Sequence, residues 1–146
     1  VDLFDTAQYQ SHNGGEIKDF KAKEFVSSRI LSFSGRASQL AIAAAKLGII
    51  DAQLEPDVLS KSTTSVCMGT TMGEIQPIEV LNKSFVRGEG VENLDKKLIF
   101  QSAVNNIPVD VALEFKLKGR TKGLLFCEIN LFSLYKKIAL IPSSLG

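Results

Sequence analysis

Apolar residues recur at helical spacing in the segment 32–56, which carries the strongest periodic pattern of the chain. One face of the predicted helix collects Ala37, Leu40, Ala41, Ala44, Leu47 and Gly48. Ser34 is the predicted N-cap, because its hydroxyl can accept a hydrogen bond from the first turn. Pro56 is predicted to mark the end of the segment. The small side chains on this face indicate close packing against another helix or a sheet.

A short strand is predicted next, over residues 65–68 of the stretch "TTSVCMGTTMGE". Its members, Ser65 to Met68, are expected to be buried, and Gly69 is expected to end the strand. Cys67 is interpreted as a small hydrophobic residue within it. The segment from Lys83 to Asp95, which contains Gly88 and Gly90, is predicted to be a loop.

A second helix is predicted within residues 100–119, "FQSAVNNIPVDVALEFKLKG". Asn105 or Asn106 is the expected cap, with Pro108 in the first turn, where a missing N–H costs little. Gly119 is the expected stop. The helix, turn and strand of residues 32–68, in this order, favour an α/β fold. Residues 120–146 have no clean period and are assigned to neither helix nor strand.

Composition and charge favour a globular protein and argue against a nucleic-acid-binding or membrane-spanning one. The chain has 146 residues, of which 45% are hydrophobic and 23% charged, as in one globular domain with a real core. A net charge of +1 gives no electrostatic case for nucleic acid. No apolar run approaches the roughly 20 residues that span a bilayer, so no membrane segment is expected. Two cysteines without a CxxC pattern favour a reducing cytoplasm.

Few residues suggest chemistry by their spacing alone. Cys67, Cys127 and His12 lack the spacing of a zinc site. "GTTMGE" lacks the lysine of a phosphate-binding loop and is interpreted as a tight turn after the strand. Ser133 and Lys136 match S-x-x-K by letters only. The carboxylates Glu74, Glu79, Glu89 and Glu92 are interpreted as solvated loop charges.

Four stretches in register resemble one family. "GRASQLAIAAAKLGIIDAQL" is similar to an early helix of the β-ketoacyl-acyl carrier protein synthases, and "VCMGTTMGE" is similar to the strand and glycine turn that follow it. "FDTAQYQSHNGGEIKDF" resembles the entry to that region, and "AVNNIPVDVALEFKLKG" resembles the helix before the nucleophile strand. The likeness covers residues 1–119, and the polyketide-type ketosynthases look closest.

The resemblance implies a fold, a reaction and partners. The fold would be a partial thiolase-like α/β fold, with helices packed on a mixed sheet, as an incomplete half-domain truncated at both ends. The implied reaction is a decarboxylative Claisen condensation in fatty acid or polyketide synthesis, without cofactor or metal. The implied partners are an acyl carrier protein, acyl and malonyl thioesters, and a second copy in a homodimer, all in the cytoplasm.

Some positions carry a role over from the family. Met72 matches the residue that gates the acyl pocket, and Leu98 and Ile99 match positions that line this pocket or the dimer interface. Gly69 and Thr70 belong to the same turn as Met72. The apolar character of Met72 suits an acyl chain, but it also suits ordinary core packing, so both interpretations stay open.

The nucleophile motif departs from the family pattern. The family carries a small-residue motif of the type T-A-C-x-x-G, whereas this chain has "RTKGLLFCEINLF". Cys127 lies one position short of the family spacing from Gly119, and Leu125 and Phe126 replace small residues before it. Glu128 beside the thiol disfavours the thiolate form. Residues 1–119 are therefore predicted to be a ketosynthase region and residues 120–146 a divergent tail.

Three interpretations of function follow. The first is a fragment of a ketosynthase that is inactive alone, because the two catalytic histidines of the family lie in its C-terminal half and His12 is the only histidine here. The second is a non-catalytic ketosynthase-like module that binds a carrier protein or a ketosynthase subunit. The third is an unrelated α/β protein.

Overall fold

The computed structural model describes residues 5–88 and 95–125 of the chain. These residues form one short 3₁₀-helix, six α-helices and two β-strands. In chain order they are the 3₁₀-helix Ala22–Glu24, α1 Ser28–Leu31, α2 Arg36–Asp51, α3 Pro56–Lys61, β1 Val66–Thr70, α4 Ile75–Val86, α5 Lys96–Ser102, α6 Asn106–Glu114 and β2 Thr121–Leu125.

The core of the described residues lies where α2 and α6 pack together. Ile42 of α2 is fully buried and Val111 of α6 is 4% exposed. Val26 and Ile30, from the segment before α2, complete the buried cluster, and Val66 and Met68 are among the half-buried residues that pack against it. Removing these side chains from water is the main favourable contribution to folding here.

The two strands form a parallel sheet in which Val66 is paired with Thr121 and Thr70 with Leu125. Parallel pairing requires a crossover connection, since the chain must return to the same end of the sheet. Here the crossover contains α4, α5 and α6. The α/β class predicted from the sequence is therefore confirmed.

The first predicted helix exists, but its ends differ from the prediction. The α-helix begins at Arg36, and Gly35 rather than Ser34 occupies the N-cap position, without a side-chain cap of its own. Ser34 is instead buried, and its carbonyl accepts a hydrogen bond from Gln39 Nε2 at 3.1 Å. The helix ends at Asp51, and Pro56 opens α3 at a first-turn position.

The second predicted helix corresponds to α6, which begins at Asn106, next to the expected cap position. The first residues of the same stretch belong to a separate helix, α5, which ends at Ser102. Asn105 does occupy the N-cap position of α6, but its side chain makes no cap hydrogen bond. The helix ends at Glu114, and Lys116 adopts a positive φ of 55° well before Gly119.

The predictions for the end and burial of the strand, for Cys67 and for part of the loop are wrong. Strand β1 covers Val66–Thr70, so Gly69 lies inside it, and its burial alternates instead of being continuous. Cys67 is therefore exposed, because it lies on the open face of the strand. Part of the predicted loop from Lys83 is helical, since α4 continues to Val86.

Candidate functional site

The turn that follows β1 is held by a side-chain hydrogen bond. The hydroxyl oxygen of Thr70 accepts a hydrogen bond from the backbone N–H of Gly73 at 2.9 Å. Gly73 has a positive φ of 62°, a conformation that glycine adopts without strain. Met72 lies in this turn with 58% of its surface exposed. The turn is followed by Glu74, which directly precedes α4.

Glu74 caps the first turn of α2 from a distance in the sequence. Its Oε1 accepts a hydrogen bond from the N–H of Ser38 at 2.7 Å, and its Oε2 accepts one from the N–H of Ala37 at 3.0 Å. The first N–H groups of a helix have no partner within the helix, and the positive end of the helix dipole favours an anion there. The carboxylate thus supplies the cap that Gly35 cannot.

Gly35 is required by the same arrangement. A Cβ atom at position 35 would lie 2.4 Å from the carboxyl carbon of Glu74, closer than real contacts allow. Glu74 is only 2% exposed, so the sequence-based interpretation of this residue as a solvated loop charge is wrong. The pair joins the turn after β1 to the start of α2.

A second carboxylate lies close to the first. Asp110 of α6 is 5% exposed, and Ser38 of α2 is 1% exposed. Burial raises the pKa of Asp110; the nearby Ser38 hydroxyl partly opposes this shift, and the Glu74 carboxylate adds to it. The sequence analysis missed Asp110, which stands within the apolar stripe of α6. An acidic residue in such a stripe is the signal that could have found it.

The predicted acyl-pocket residues lie on different elements. Leu98 and Ile99 are both on α5, and Ile99 is 50% exposed. Leu98 lines an open cleft of about 430 Å³ together with Pro77 and Val80 of α4. Met72 lies before α4, in the turn after β1. A pocket role for Met72, Leu98 and Ile99 stays a prediction.

Strand β2 leads towards Cys127, which lies outside the described residues. Two glycines allow this strand its close approach to neighbouring backbone. A Cβ atom at Gly119 would lie 2.3 Å from the carbonyl oxygen of Thr64, and one at Gly123 would lie 2.8 Å from Asn105 Oδ1. The sequence analysis interpreted Gly119 as a helix stop, whereas the structure shows a steric requirement at the start of the sheet.

Residues 5–88 and 95–125 contain neither a cluster of metal ligands nor a helix that could span a membrane. No group of three His, Cys, Asp or Glu side chains in these ranges could hold a metal ion. No helix in the same ranges is long and apolar enough to cross a bilayer.

Comparison with known proteins places these features in one family. The family model for the N-terminal domain of β-ketoacyl synthases matches residues 3–122. The α subunit of the tetracenomycin polyketide synthase ketoacyl synthase from Streptomyces glaucescens is 36% identical over 73 residues, which are 50% of this chain and 17% of that protein. A 3-oxoacyl-[acyl-carrier-protein] synthase 2 from Staphylococcus aureus is 28% identical over 86 residues, 59% of this chain and 21% of that protein.

The fold agrees with the sequence comparison. The solved structure of the ishigamide ketosynthase/chain length factor superposes with a TM-score of 0.72 at 26% sequence identity, covering 86% of this chain and 31% of that one. The predicted partial thiolase-like fold is thereby confirmed. The chain spans about a fifth of the length of the two curated relatives. On the family match and the shared fold together, this chain belongs to the β-ketoacyl synthase family, as a part of its N-terminal domain.

Proposed function

We propose that this chain is part of a 3-oxoacyl-acyl carrier protein synthase of fatty acid or polyketide synthesis, and that it does not complete the reaction alone. The observation that carries the proposal is the family match over residues 3–122. The parallel pairing of β2 with β1 supports it, because β2 ends two positions before Cys127 in the sequence. We expect the protein to act in the cytoplasm.

The proposed reaction has two steps. In the first, the thiolate of the nucleophilic cysteine, for which Cys127 is the candidate in this chain, attacks the acyl carbon of a carrier-protein thioester; a bond from Sγ to that carbon forms, and the carrier thiol leaves with a proton. In the second, a malonyl thioester loses CO₂, and the resulting carbanion attacks the same acyl carbon. The new carbon–carbon bond replaces the bond to Sγ, and the cysteine takes up a proton.

The chain supplies only part of the groups for this chemistry. A condensing enzyme of this family stabilises the developing oxyanion and enolate with two histidines. The only histidine here, His12, accepts or donates a hydrogen bond with Thr6 Oγ1 at 3.3 Å on the exposed surface. We therefore expect no condensation by the chain alone, and we expect Met72, Leu98 and Ile99 to contact the acyl chain only in a completed enzyme.

The chain length factor in the similar structure favours a second candidate, a non-catalytic partner module. Such a module would keep the family fold and bind a carrier protein or a ketosynthase subunit without being acylated. The departures from the family motif, in which bulky residues precede Cys127 and Glu128 follows it in the sequence, are consistent with it. A second copy of the chain is the other expected partner under both candidates.

Mass spectrometry of the purified chain after incubation with an acyl-carrier-protein thioester, or with the ketosynthase inhibitor cerulenin, tests the proposal. Cys67 is exposed and serves as the internal reference for unspecific modification. We expect no selective acylation of Cys127 and measurable binding of the carrier protein. Selective acylation, abolished in Cys127→Ala and retained in Cys67→Ala, would show that the chain performs the first step unaided. Loss of both binding and acylation would overturn the proposal.

The coding DNA separates the two candidates. We expect translation of the other two reading frames downstream of the Gly119 codon to give a ketosynthase continuation. A continuation that carries a cysteine among small residues supports the synthase, and one without this cysteine supports the non-catalytic module. If neither frame resembles a ketosynthase, residues 120–146 are not the product of a frame change.

A further inference from the structure

A cavity of about 380 Å³ opens between the start of α2 and the pair α5 and α6, and Met72 is not among the residues that line it. Its walls are mostly apolar and include Phe33, Phe100, Val109 and Leu113. This size is within the range of small-molecule sites, which are typically about 300–1,000 Å³ and apolar with few polar groups. The cavity therefore has the volume and the walls of a binding site for a small molecule.

The floor of this cavity carries polar groups that are not fully used by the protein. Ser38 Oγ lines the cavity and is buried; it lies near enough to Asp110 to lower the pKa of that carboxyl, yet within the described residues it makes no hydrogen bond of ordinary distance and angle. A buried hydroxyl without a partner is costly, so native proteins seldom keep one without a reason. Asp110 lines the same floor and, within the described residues, forms no ion pair. Both groups can accept hydrogen bonds from a ligand.

Glu74 adds negative electrostatic potential near Ser38 and Asp110, although it does not line the cavity itself. Both of its oxygens are engaged with the N–H groups of Ala37 and Ser38. Its negative charge nevertheless helps to raise the pKa of Asp110. Among residues 5–88 and 95–125, Lys97 at the exposed start of α5 is the one cationic residue that lines the cavity. A positively charged head group in this open, mostly apolar cavity would thus meet the Asp110 carboxylate, and the charge of Glu74, which does not line the cavity, would add to the attraction.

We propose that this cavity binds a small primary amine with an aromatic or branched apolar body. The ammonium head would donate hydrogen bonds to the Asp110 carboxylate and to Ser38 Oγ. An ammonium group has three donors and no acceptor, which matches a floor that offers two acceptors. The body would lie between Phe33, Phe100 and Leu113, where the aromatic faces also favour a nearby cation. A carboxylate ligand is disfavoured because Glu74 and Asp110 would repel it.

Nuclear magnetic resonance titration of the full chain tests the proposal with three probes of like shape. They are 2-phenylethylamine, the neutral 2-phenylethanol and the anionic 3-phenylpropanoate. We expect the amine to shift the backbone amide signals of Ser38, Val109 and Leu113, and to bind at least tenfold more tightly than the alcohol. The carboxylate should bind more weakly still. Equal affinity of amine and alcohol, or shifts confined to other regions, would overturn the proposal without the need for any variant.

Variants then locate the head group. Asp110→Asn keeps the shape and removes the charge, and should weaken amine binding at least tenfold. Ser38→Ala should weaken it less, because it removes one of two acceptors. Asp57→Asn is the matched control, since Asp57 is an exposed carboxylate that lines a different cavity; its amine affinity should equal that of the unmodified chain. Retained amine affinity in a folded Asp110→Asn chain would overturn the assigned head-group site.

Discussion

The two ends of the crossover connection differ in how much of their apolar surface the chain buries. Helix α6 buries Ile107, Val111 and Ala112 against α2 and the sheet. Helices α4 and α5 pack on each other, yet Phe85 is 79% exposed and Phe100 is 74% exposed. Both regions are helical and carry apolar side chains. An apolar pattern at helical spacing therefore predicts a helix, but it does not predict that the apolar side chains are buried in the core.

The caps of α2 and α5 repeat this contrast. Helix α5 is capped locally, because the Asp95 side chain accepts a hydrogen bond from the N–H of Lys97 at 2.9 Å. Helix α2 is capped by Glu74, which lies more than thirty positions along the chain from Ala37 and Ser38. The local cap forms whenever its helix forms, whereas the distant cap requires the whole arrangement of β1, turn and α2.

The largest difference between the two regions should appear on truncation of one isoleucine in each. Ile42→Ala removes a fully buried side chain from the contact of α2 with α6 and should cost about 3 kcal/mol of unfolding free energy. Ile99→Ala on α5, where the residue is 50% exposed, should change it by less than about 0.5 kcal/mol. Denaturant unfolding followed by circular dichroism measures both. Similar costs for the two variants would contradict the division into buried and uncovered regions.

The distant cap gives the next largest effect. Glu74→Ala leaves two N–H groups of α2 without a partner and should cost about 2 kcal/mol. Gly35→Ala places a Cβ atom against the carboxylate and expels it, so its cost should be similar. The two changes should not add, because each removes the same hydrogen bonds.

A matched glycine controls this experiment. Gly48 lies in α2 with open space around the position of a Cβ atom. Gly48→Ala should therefore stabilise the chain by about 0.5–1 kcal/mol through helix propensity. If Gly35→Ala were equally harmless, or if its cost were unchanged in a Glu74→Ala background, Glu74 would not be the cap of α2.

Sequence reasoning succeeded where the determining contacts are local. The position of α2 and the existence of β1 follow from spacing and turn residues that lie next to them. Helix α5 was not predicted as a helix of its own, because the cap signals in this stretch, Asn105, Asn106 and Pro108, belong to α6. Strand β2 was missed because a parallel strand is identified by its partner rather than by its own period.

In the candidate site, too, contacts between residues far apart in the sequence could not be predicted. The turn around Met72 could be placed from its glycines, but Glu74 was assigned to the solvent. Its burial depends on the N–H groups of α2 and on the missing side chain of Gly35, which are far away in the sequence. Asp110 likewise depends on how α6 faces Ser38. The family resemblance identified the region and its order of elements without showing these side-chain partners.

The smallest predicted effect is on the pH dependence of stability, which should have opposite signs for a carboxylate in each of the two regions. Burial raises the pKa of Asp110 above 3.8, so the folded chain holds its proton where the unfolded chain releases it. The stability that this group contributes is complete below pH 3.8 and is lost as the pH rises through the folded-state pKa. As the pH rises from 3.8 through the folded-state pKa, the Asp110→Asn variant should therefore become more stable relative to the unmodified chain.

Glu79 on α4 should show the opposite sign. Its hydrogen bond and charge interaction with Lys83 lower its pKa below 4.5, so its contribution is present above pH 4.5 and is lost as the pH falls. Glu79→Gln should thus lose stability relative to the unmodified chain as the pH rises, by an amount that salt reduces because the pair is exposed. Denaturant unfolding at a series of pH values resolves both trends. If the stability difference from the unmodified chain changed with pH in the same direction for both variants, burial would not raise the pKa of Asp110. The description of Asp110 as a buried carboxylate next to Ser38 would then be wrong.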